Sequence, residues 1–167
     1  MSCNCNSNRC ASYFTNLAAA ARQNHKEKYT VVQGDYLKVN VICVPMCGEI
    51  GVEVHRDEDQ LITVVCGTAT VKLGNTRATA DCIRRLNAGD SVLIPAGTWH
   101  NVCNTGGGQL KLISVYGYGN TNGGCGCMQT TGAQSVNCTH AFKADNYDWN
   151  TTQTQDNGCS CAIDSGC

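Results

Sequence analysis

The stretch from residue 89 to residue 104 limits most strongly what this chain can fold into. It opens on a Gly-Asp turn and continues into a short apolar run, Ser91–Ile94. Pro95 and Gly97 then form a tight corner, and a second short run follows that carries His100. Because side chains alternate along a strand, a corner of this kind can direct the imidazole of His100 to the inner face of a sheet. The pattern therefore predicts two short strands and a candidate metal ligand inside a barrel.

The region 29–116 reads as a series of short strands, which are rich in β-branched or aromatic residues and bounded by Gly, Asn or Asp. Gly67 and the pair Gly74–Asn75 are interpreted as hairpin turns. Short strands without a long helix between them predict an all-β fold, an antiparallel jelly-roll barrel. The predicted strands are Tyr29–Val32, Tyr36–Val44, Val52–His55, Gln60–Val65, Thr68–Leu73, Cys82–Leu86, Ser91–Ile94, Trp99–Cys103 and Leu110–Tyr116.

Residues 1–28 are predicted to form an N-terminal arm that contains cysteines and one short helix. Alanine-rich sequence over Asn16–Gln23 favours a helix of two or three turns. Tyr13, Phe14 and Leu17 are the apolar residues expected to dock this helix on the barrel.

The spacing G-x5-P-x-G-x2-H-x3-N, at Gly89, Pro95, Gly97, His100 and Asn104, resembles the second motif of the cupin superfamily. Similarity to a bacterial cupin-2 branch extends along most of the predicted barrel. The resemblance implies a jelly-roll barrel whose interior holds a metal ion.

The first cupin motif is present in altered form. The family shows His-x-His, then a Glu, then a Gly that begins the next turn. Counting back from Gly67, the resemblance places Gln60 at the Glu position, His55 at the second His and Glu53 at the first. Together with His100, these residues are the metal-ligand set that the resemblance implies.

The chemistry of this set suits a divalent metal. Glu53 and His55 are two residues apart, so on a strand both face the same side of the sheet. Two imidazoles and one carboxylate suit Fe, Mn or Zn, with positions left open for water or substrate. The resemblance permits a dioxygenase, isomerase or epimerase, but it equally permits an inherited metal site or a polar pocket in a domain retained for its shape. No catalytic residue is assigned, and enzymatic activity stays an open question.

Charge and hydropathy argue against two classes of partner. The chain has 12 basic and 13 acidic residues and no long basic run, so nucleic acid and anionic membranes are not expected partners. No apolar stretch approaches the ~20 residues that span a bilayer. The N-terminal sequence has neither a basic region nor an apolar region of a signal peptide, which predicts synthesis in the cytoplasm.

Fourteen cysteines are the anomaly in this composition, because a disulfide-rich protein normally reaches an oxidising compartment. Cys-x-Cys pairs recur, and because a bond between residues two apart would be strained, each pair is better placed to reach partners elsewhere. The candidate cross-linking residues, all outside the predicted barrel, are Cys3, Cys5, Cys10, Cys125, Cys127, Cys138, Cys159, Cys161 and Cys167.

Three uses of these terminal cysteines stay open. Bonds between chains would link copies of this protein head to tail, and such contacts give filaments or lattices because they do not close. Bonds within one chain would staple a monomer. Soft-metal binding by the Cys-x-Cys pairs is the third use, although the Cys-x2-Cys spacing of structural zinc is missing.

Residues 117–167 are predicted to be a Gly/Asn/Thr/Cys-rich extension that has too few apolar residues to form a core. Cysteine-rich chains of this composition resemble coat, exosporium and appendage proteins of bacterial spores, which are oxidised after the mother cell lyses. The first hypothesis is therefore a self-assembling structural protein that ends on a spore surface or at another oxidising extracellular site. The second is a metal-dependent cupin enzyme stabilised by intrachain disulfides.

Overall fold

The computed structural model describes residues 12–118, and the predicted strands and helix all lie within this range. Helix α1 spans Leu17–Gln23, and the side chain of Asn16 caps it by accepting a hydrogen bond from the backbone N–H of Ala19. An Asn at this position satisfies one of the N–H groups that the first helical turn leaves unpaired. Among these residues, no helix has the length and apolar character needed to cross a membrane.

The predicted all-β fold is confirmed, and each predicted strand corresponds to an observed one. Their limits differ by at most two residues at an end, and β3 is the shortest, with only two residues. The strands are β1 Lys28–Gln33, β2 Leu37–Val44, β3 Glu53–Val54, β4 Glu58–Cys66, β5 Thr68–Gly74, β6 Cys82–Asn87, β7 Ser91–Ile94, β8 Trp99–Asn104 and β9 Leu110–Tyr118.

The strands form two antiparallel sheets that face each other as a jelly roll. The five-stranded sheet has the order β1-β2-β9-β4-β7, and the four-stranded sheet has the order β3-β8-β5-β6. Between them lies an apolar core that includes Ile42, Ile62, Val71, Val102 and Leu112. Consecutive strands often lie in different sheets, so β3 and β8, which are far apart in the sequence, lie next to each other in the four-stranded sheet.

Two loop expectations have different outcomes. Gly74–Asn75 opens the β5–β6 hairpin, as predicted, and Asp81 accepts hydrogen bonds from Asn75 across it. The hairpin assigned to Gly67 is wrong, because β4 and β5 belong to different sheets and Gly67 carries the chain from one to the other. Its φ is +89°, and a Cβ there would lie 3.1 Å from the carbonyl oxygen of Gln109, so the crossing requires glycine.

Helix α1 packs against the outer face of the five-stranded sheet, although two of the three residues expected to dock it are exposed and the third, Leu17, is half-buried. Tyr13 and Phe14 are 59% and 91% exposed, whereas Ala21 is completely buried. A small side chain lets the helix approach β2 and β9 closely. The predicted limits of the arm and of the extension stay predictions, since most of those residues lie outside the described range.

Candidate metal centre

Three of the predicted ligands lie side by side on the inner face of the four-stranded sheet. Glu53 on β3 pairs in register with His100 on β8, so their side chains point to the same face. His55 follows β3 by one residue. Its carbonyl oxygen accepts a 2.7 Å hydrogen bond from the N–H of Gly97, which ties the end of β3 to the Pro95–Gly97 corner.

Gly97 is the residue on which this corner depends. Its φ of +82° lies in the left-handed region that favours glycine. The neighbouring N–H of Ala96 donates to the carboxylate of Asp59 at 2.9 Å, which fixes the corner to β4 as well. The corner is therefore held from both sheets, and His100 enters the interior from a rigid support.

The three side chains converge on a single point. Glu53 Oε1 lies 3.3 Å from His55 Nε2 and 3.3 Å from His100 Nε2. One ligand atom from each residue lies within 4.8 Å of the others, an arrangement that can hold a metal ion. His100 is 1% exposed, while the side chains of His55 and Glu53 are 22% and 34% exposed, so one side of the cluster stays open to a small molecule.

The hydrogen bond at the far side of the His100 ring sets its tautomer. Nδ1 lies 3.0 Å from the carbonyl oxygen of Thr98, and since a carbonyl can only accept, Nδ1 carries the proton. A neutral His100 therefore presents an unprotonated Nε2 to the cluster. This buried nitrogen has no hydrogen-bond partner within residues 12–118, although it lies at ion-pair distance from Glu53. Such an arrangement, with one ring nitrogen held by the backbone and the other free, is the one metal-binding histidines use.

The electrostatics of Glu53 favour its ionised form. Burial by itself would raise the pKa of this carboxyl, but in the metal-free protein the imidazoles of His100 and His55, when protonated, donate to it and attract its charge, so the pKa lies below its ordinary value. Glu53 is therefore a carboxylate at neutral pH. Two imidazole nitrogens and a carboxylate are the donor set expected for Fe(II), Mn or Zn.

Gln60, the fourth predicted ligand, lies on β4 in the opposite sheet. Its side chain is completely buried, and Nε2 donates to Ser114 Oγ at 2.9 Å and to the Tyr116 hydroxyl oxygen at 3.0 Å. Because the amide nitrogen is engaged in this way, its Oε1 is left without a partner among the described residues. A role for Gln60 as a ligand stays a prediction.

Asn104, the last residue of the second motif, has a structural role. Asn104 donates its amide N–H groups to the carbonyl oxygens of Val44, Pro45 and Gly108, and its Oδ1 accepts from the N–H of Gly106. These bonds join the end of β8 to two neighbouring loops. Asn104 therefore holds the barrel end together and does not contribute to the cluster.

Several polar residues inside or beside the barrel were missed by sequence reasoning, namely Lys28, Lys38, Asn40 and Tyr116; of these, Lys28 and Tyr116 line the cavity. They sit at strand positions that face the interior, and Tyr116 stacks edge-on against His55 with ring centroids 5.1 Å apart. The available signal was the alternation along β2, where Lys38 and Asn40 share the face of Ile42. Polar residues at inward positions of a barrel strand indicate a lined cavity.

The cysteines separate into those that the structure describes and those that it does not. Cys103 lies on β8 three residues after His100, and its Sγ lies 3.6 Å from Glu49 Oε2, outside the cluster. Cys47, Cys66 and Cys82 are disulfide-bonded, while Cys43 and Cys103 are free. The predicted cross-linking cysteines lie outside the described residues.

Comparison with known proteins agrees with this architecture. Residues 40–116 match the family model of the Cupin domain, Cupin_2. YrkC, an uncharacterized protein of Bacillus subtilis, is 32% identical over 104 residues, which cover 62% of this chain and 56% of YrkC. The chain thus spans little more than half the length of that relative.

Two solved structures show the same fold. BH2720 from Bacillus halodurans superposes with a TM-score of 0.64 at 31% identity, covering 65% of this chain and 83% of BH2720. The cupin superfamily protein DSY2733 from Desulfitobacterium hafniense has a TM-score of 0.51 at 15% identity and covers 68% and 97% of the two chains, a likeness of fold alone. The family match over residues 40–116, the sheet topology and these structures agree that this part of the chain has the cupin fold.

Proposed function

We propose that this protein binds one divalent metal ion through Glu53, His55 and His100, and that the metal site acts on a small molecule in the barrel. The observation that carries the proposal is the position of Glu53 Oε1 between the two Nε2 atoms. With Nδ1 of His100 bound to Thr98, a neutral His100 directs a lone pair at a carboxylate oxygen. A cation among the three atoms turns this repulsion into attraction.

A bound metal would supply Lewis-acid chemistry to an oxygen of the small molecule. The chain's own residues supply binding and orientation. Tyr116 accepts a hydrogen bond from Gln60, so its own O–H proton is available to donate into the cavity. A cavity of about 420 Å³, whose lining includes Ile42, Glu53 and Tyr116, gives space for a ligand of modest size.

Metal analysis of the purified full chain tests this proposal. We expect about one Fe, Mn or Zn ion per chain by inductively coupled plasma mass spectrometry after free thiols have been blocked. His55→Gln should lose most of this metal, because one of the three donors is removed. His25→Gln is the matched control, since His25 is exposed and is not part of the cluster, and it should retain the metal. A wild-type protein that binds no divalent ion, or equal metal in both variants, contradicts the proposal.

As a second candidate we propose a structural role, in which copies of the barrel are cross-linked through the terminal cysteines on a spore surface or a similar oxidising exterior. The supporting observation is the distribution of cysteines, nine of the fourteen being outside residues 29–116. Gel mobility and light scattering with and without a strong reductant test it. Large species that become a 17.8 kDa chain only on reduction support the role, and a discrete monomer or dimer under both conditions refutes it.

A further inference from the structure

A free cysteine and a buried lysine lie side by side on the outer face of the five-stranded sheet. Ile42 on β2 belongs to the core, so the next residue, Cys43, faces the other side. Cys43 pairs in register with Lys111 on β9, and residues opposite each other in an antiparallel pair share a face. Lys111 Nζ lies 3.2 Å from Cys43 Sγ, and the two residues are only 4% and 5% exposed. The contact is therefore built into the pairing of these strands.

Lys111 has few partners for a buried cation. Its ammonium group carries three donors, and it donates to the carbonyl oxygen of Asn24, the residue that ends α1, besides contacting Cys43. Within residues 12–118, no carboxylate lies at ion-pair distance from Nζ. A buried ammonium normally pairs with a carboxylate, because an uncompensated charge costs free energy. Here a thiol takes that place, so an oxidisable sulfur touches an amine nitrogen.

No second free thiol of the described residues lies on this sheet. Cys103, the other free cysteine, is on β8 in the four-stranded sheet. Cys66 lies opposite Lys111 on β4, but it is already disulfide-bonded. A thiol oxidised to sulfenic acid condenses with a neighbouring thiol or, alternatively, with a nitrogen. The nitrogen in contact with Cys43 is Lys111 Nζ.

A small oxidant has a route to Cys43. The residue is one of those that line the cavity of about 420 Å³, where His25 and Glu27, from the segment between α1 and β1, lie beside it in the lining. Hydrogen peroxide is little larger than a water molecule, so a cavity of this volume admits it. The cavity that we assign to the small molecule of the metal site therefore also leads to the buried thiol.

We propose that Cys43 and Lys111 are a modification site, at which hydrogen peroxide links Sγ to Nζ through one oxygen atom. The step uses two molecules of peroxide, and the O–O bond of each is broken. One S–O bond and one N–O bond form to a shared oxygen, while sulfur and nitrogen lose two electrons each. Three water molecules leave, together with one proton from the ammonium group. The Glu53 cluster takes no part, so the proposal does not depend on a bound metal.

The bridge fastens β2 to β9 in the middle of the five-stranded sheet. The linked residues are 68 positions apart, and a cross-link of that span stabilises a fold by restricting the unfolded chain. Peroxide treatment should therefore raise the Tm of the wild type by about 10 °C relative to its effect on Lys111→Met, which cannot form the bridge. This comparison cancels oxidation at the other cysteines. Equal changes in the two proteins overturn the stabilising role.

Peptide mass spectrometry of the purified full chain, digested without reductant before and after peroxide treatment, tests the bridge itself. We expect the peptides that hold Cys43 and Lys111 to become joined, about 14 Da above the sum of their masses, because one oxygen is gained and two hydrogens are lost. Dithiothreitol should release both peptides unmodified. Lys111→Met should abolish the joined species. Lys38→Met is the matched control and should keep it, because Lys38 lies on the same strand pair but contacts the Tyr118 hydroxyl oxygen.

Three results overturn the proposal. The first is a Cys43 peptide that stays unmodified or gains oxygen without becoming joined to the Lys111 peptide. The second is a joined species about 2 Da below the sum of the masses, which would be a direct S–N bond. The third is a joined species in Lys111→Met. The wild-type masses decide the matter even if Lys111→Met does not fold, and circular dichroism shows whether it does.

Discussion

Replacing Asn40 by Leu should stabilise this protein, which is the reverse of what substitution at a buried, hydrogen-bonded asparagine does. Both polar atoms of the Asn40 side chain are buried and unpaired, and a buried unpaired group costs about 1–3 kcal/mol. Leu has nearly the same shape and carries no polar atom. We expect the free energy of unfolding to rise by about 1–3 kcal/mol, or the Tm by about 4 °C for each kcal/mol.

Asn104→Leu is the matched control, because it changes the same residue type at an equally buried site whose hydrogen bonds are complete. The substitution leaves the carbonyl groups of Val44, Pro45 and Gly108 and the N–H of Gly106 without their partner. We expect a loss of about 3–5 kcal/mol. Urea unfolding followed by circular dichroism, on chelator-treated protein without added ligand, measures both variants against the wild type.

The reasoning is refuted if Asn40→Leu destabilises the protein as much as Asn104→Leu does. That result would mean that the Asn40 amide is satisfied in the folded protein. The m-value should be equal in all three proteins, since a change in m would report a different denatured or native state instead of a local effect.

Three further predictions concern the metal centre and its surroundings. Because the pKa of Glu53 lies below its ordinary value, ionised Glu53 stabilises the metal-free fold at neutral pH, and this contribution is lost as the pH falls through the lowered pKa. Unfolding curves should therefore show a deficit for Glu53→Gln at pH 7 that shrinks below pH 4, and a deficit independent of pH contradicts this. Burial first, and then Glu49, raises the pKa of the Cys103 thiol to about 11, despite the opposing charge of Lys72. At pH 8 Cys103 should react with iodoacetamide about 100-fold more slowly than an exposed thiol by mass spectrometry, and equal rates in native and urea-unfolded protein would be inconsistent with the buried site. Gly97→Ala should lower the free energy of unfolding by about 1–3 kcal/mol, because φ at this position is +82°. An added Cβ would meet no atom within 4 Å, so backbone strain and not a steric clash is the expected cause. An unchanged Tm would argue against strain at this corner.

Sequence reasoning reached the fold and the three side chains that the structure brings together in one cluster, because both depend on local patterns. The strand periodicity and the Pro95–Gly97 corner are visible over short windows, and the cupin resemblance supplied Glu53, His55 and His100. The unpaired state of Asn40 could not be predicted from the sequence, since it depends on which residues the neighbouring strands β1 and β9 place beside it. The partners of Gln60 are similarly remote, with Ser114 lying 54 residues further along the chain.

The docking of helix α1 on the sheet is a case in which the prediction from sequence was wrong for two residues. Large aromatic residues at 13 and 14 were expected to hold it, because burial of such side chains gives the largest gain per residue. The structure instead buries Ala21, whose small size permits close contact between α1 and the sheet. Which face of a seven-residue helix is buried depends on the shape of the sheet below it, and the sequence of the helix does not contain that information.

The most direct test of the central claim is X-ray absorption at the zinc K-edge on the zinc-loaded full chain. The account predicts a first shell of nitrogen and oxygen at about 2.0–2.2 Å with the outer-shell scattering of two imidazole rings, and no sulfur. His100→Gln should reduce the imidazole signal by half or abolish binding. Sulfur scatterers at about 2.3 Å would instead place the metal on cysteines and contradict a centre built from Glu53, His55 and His100.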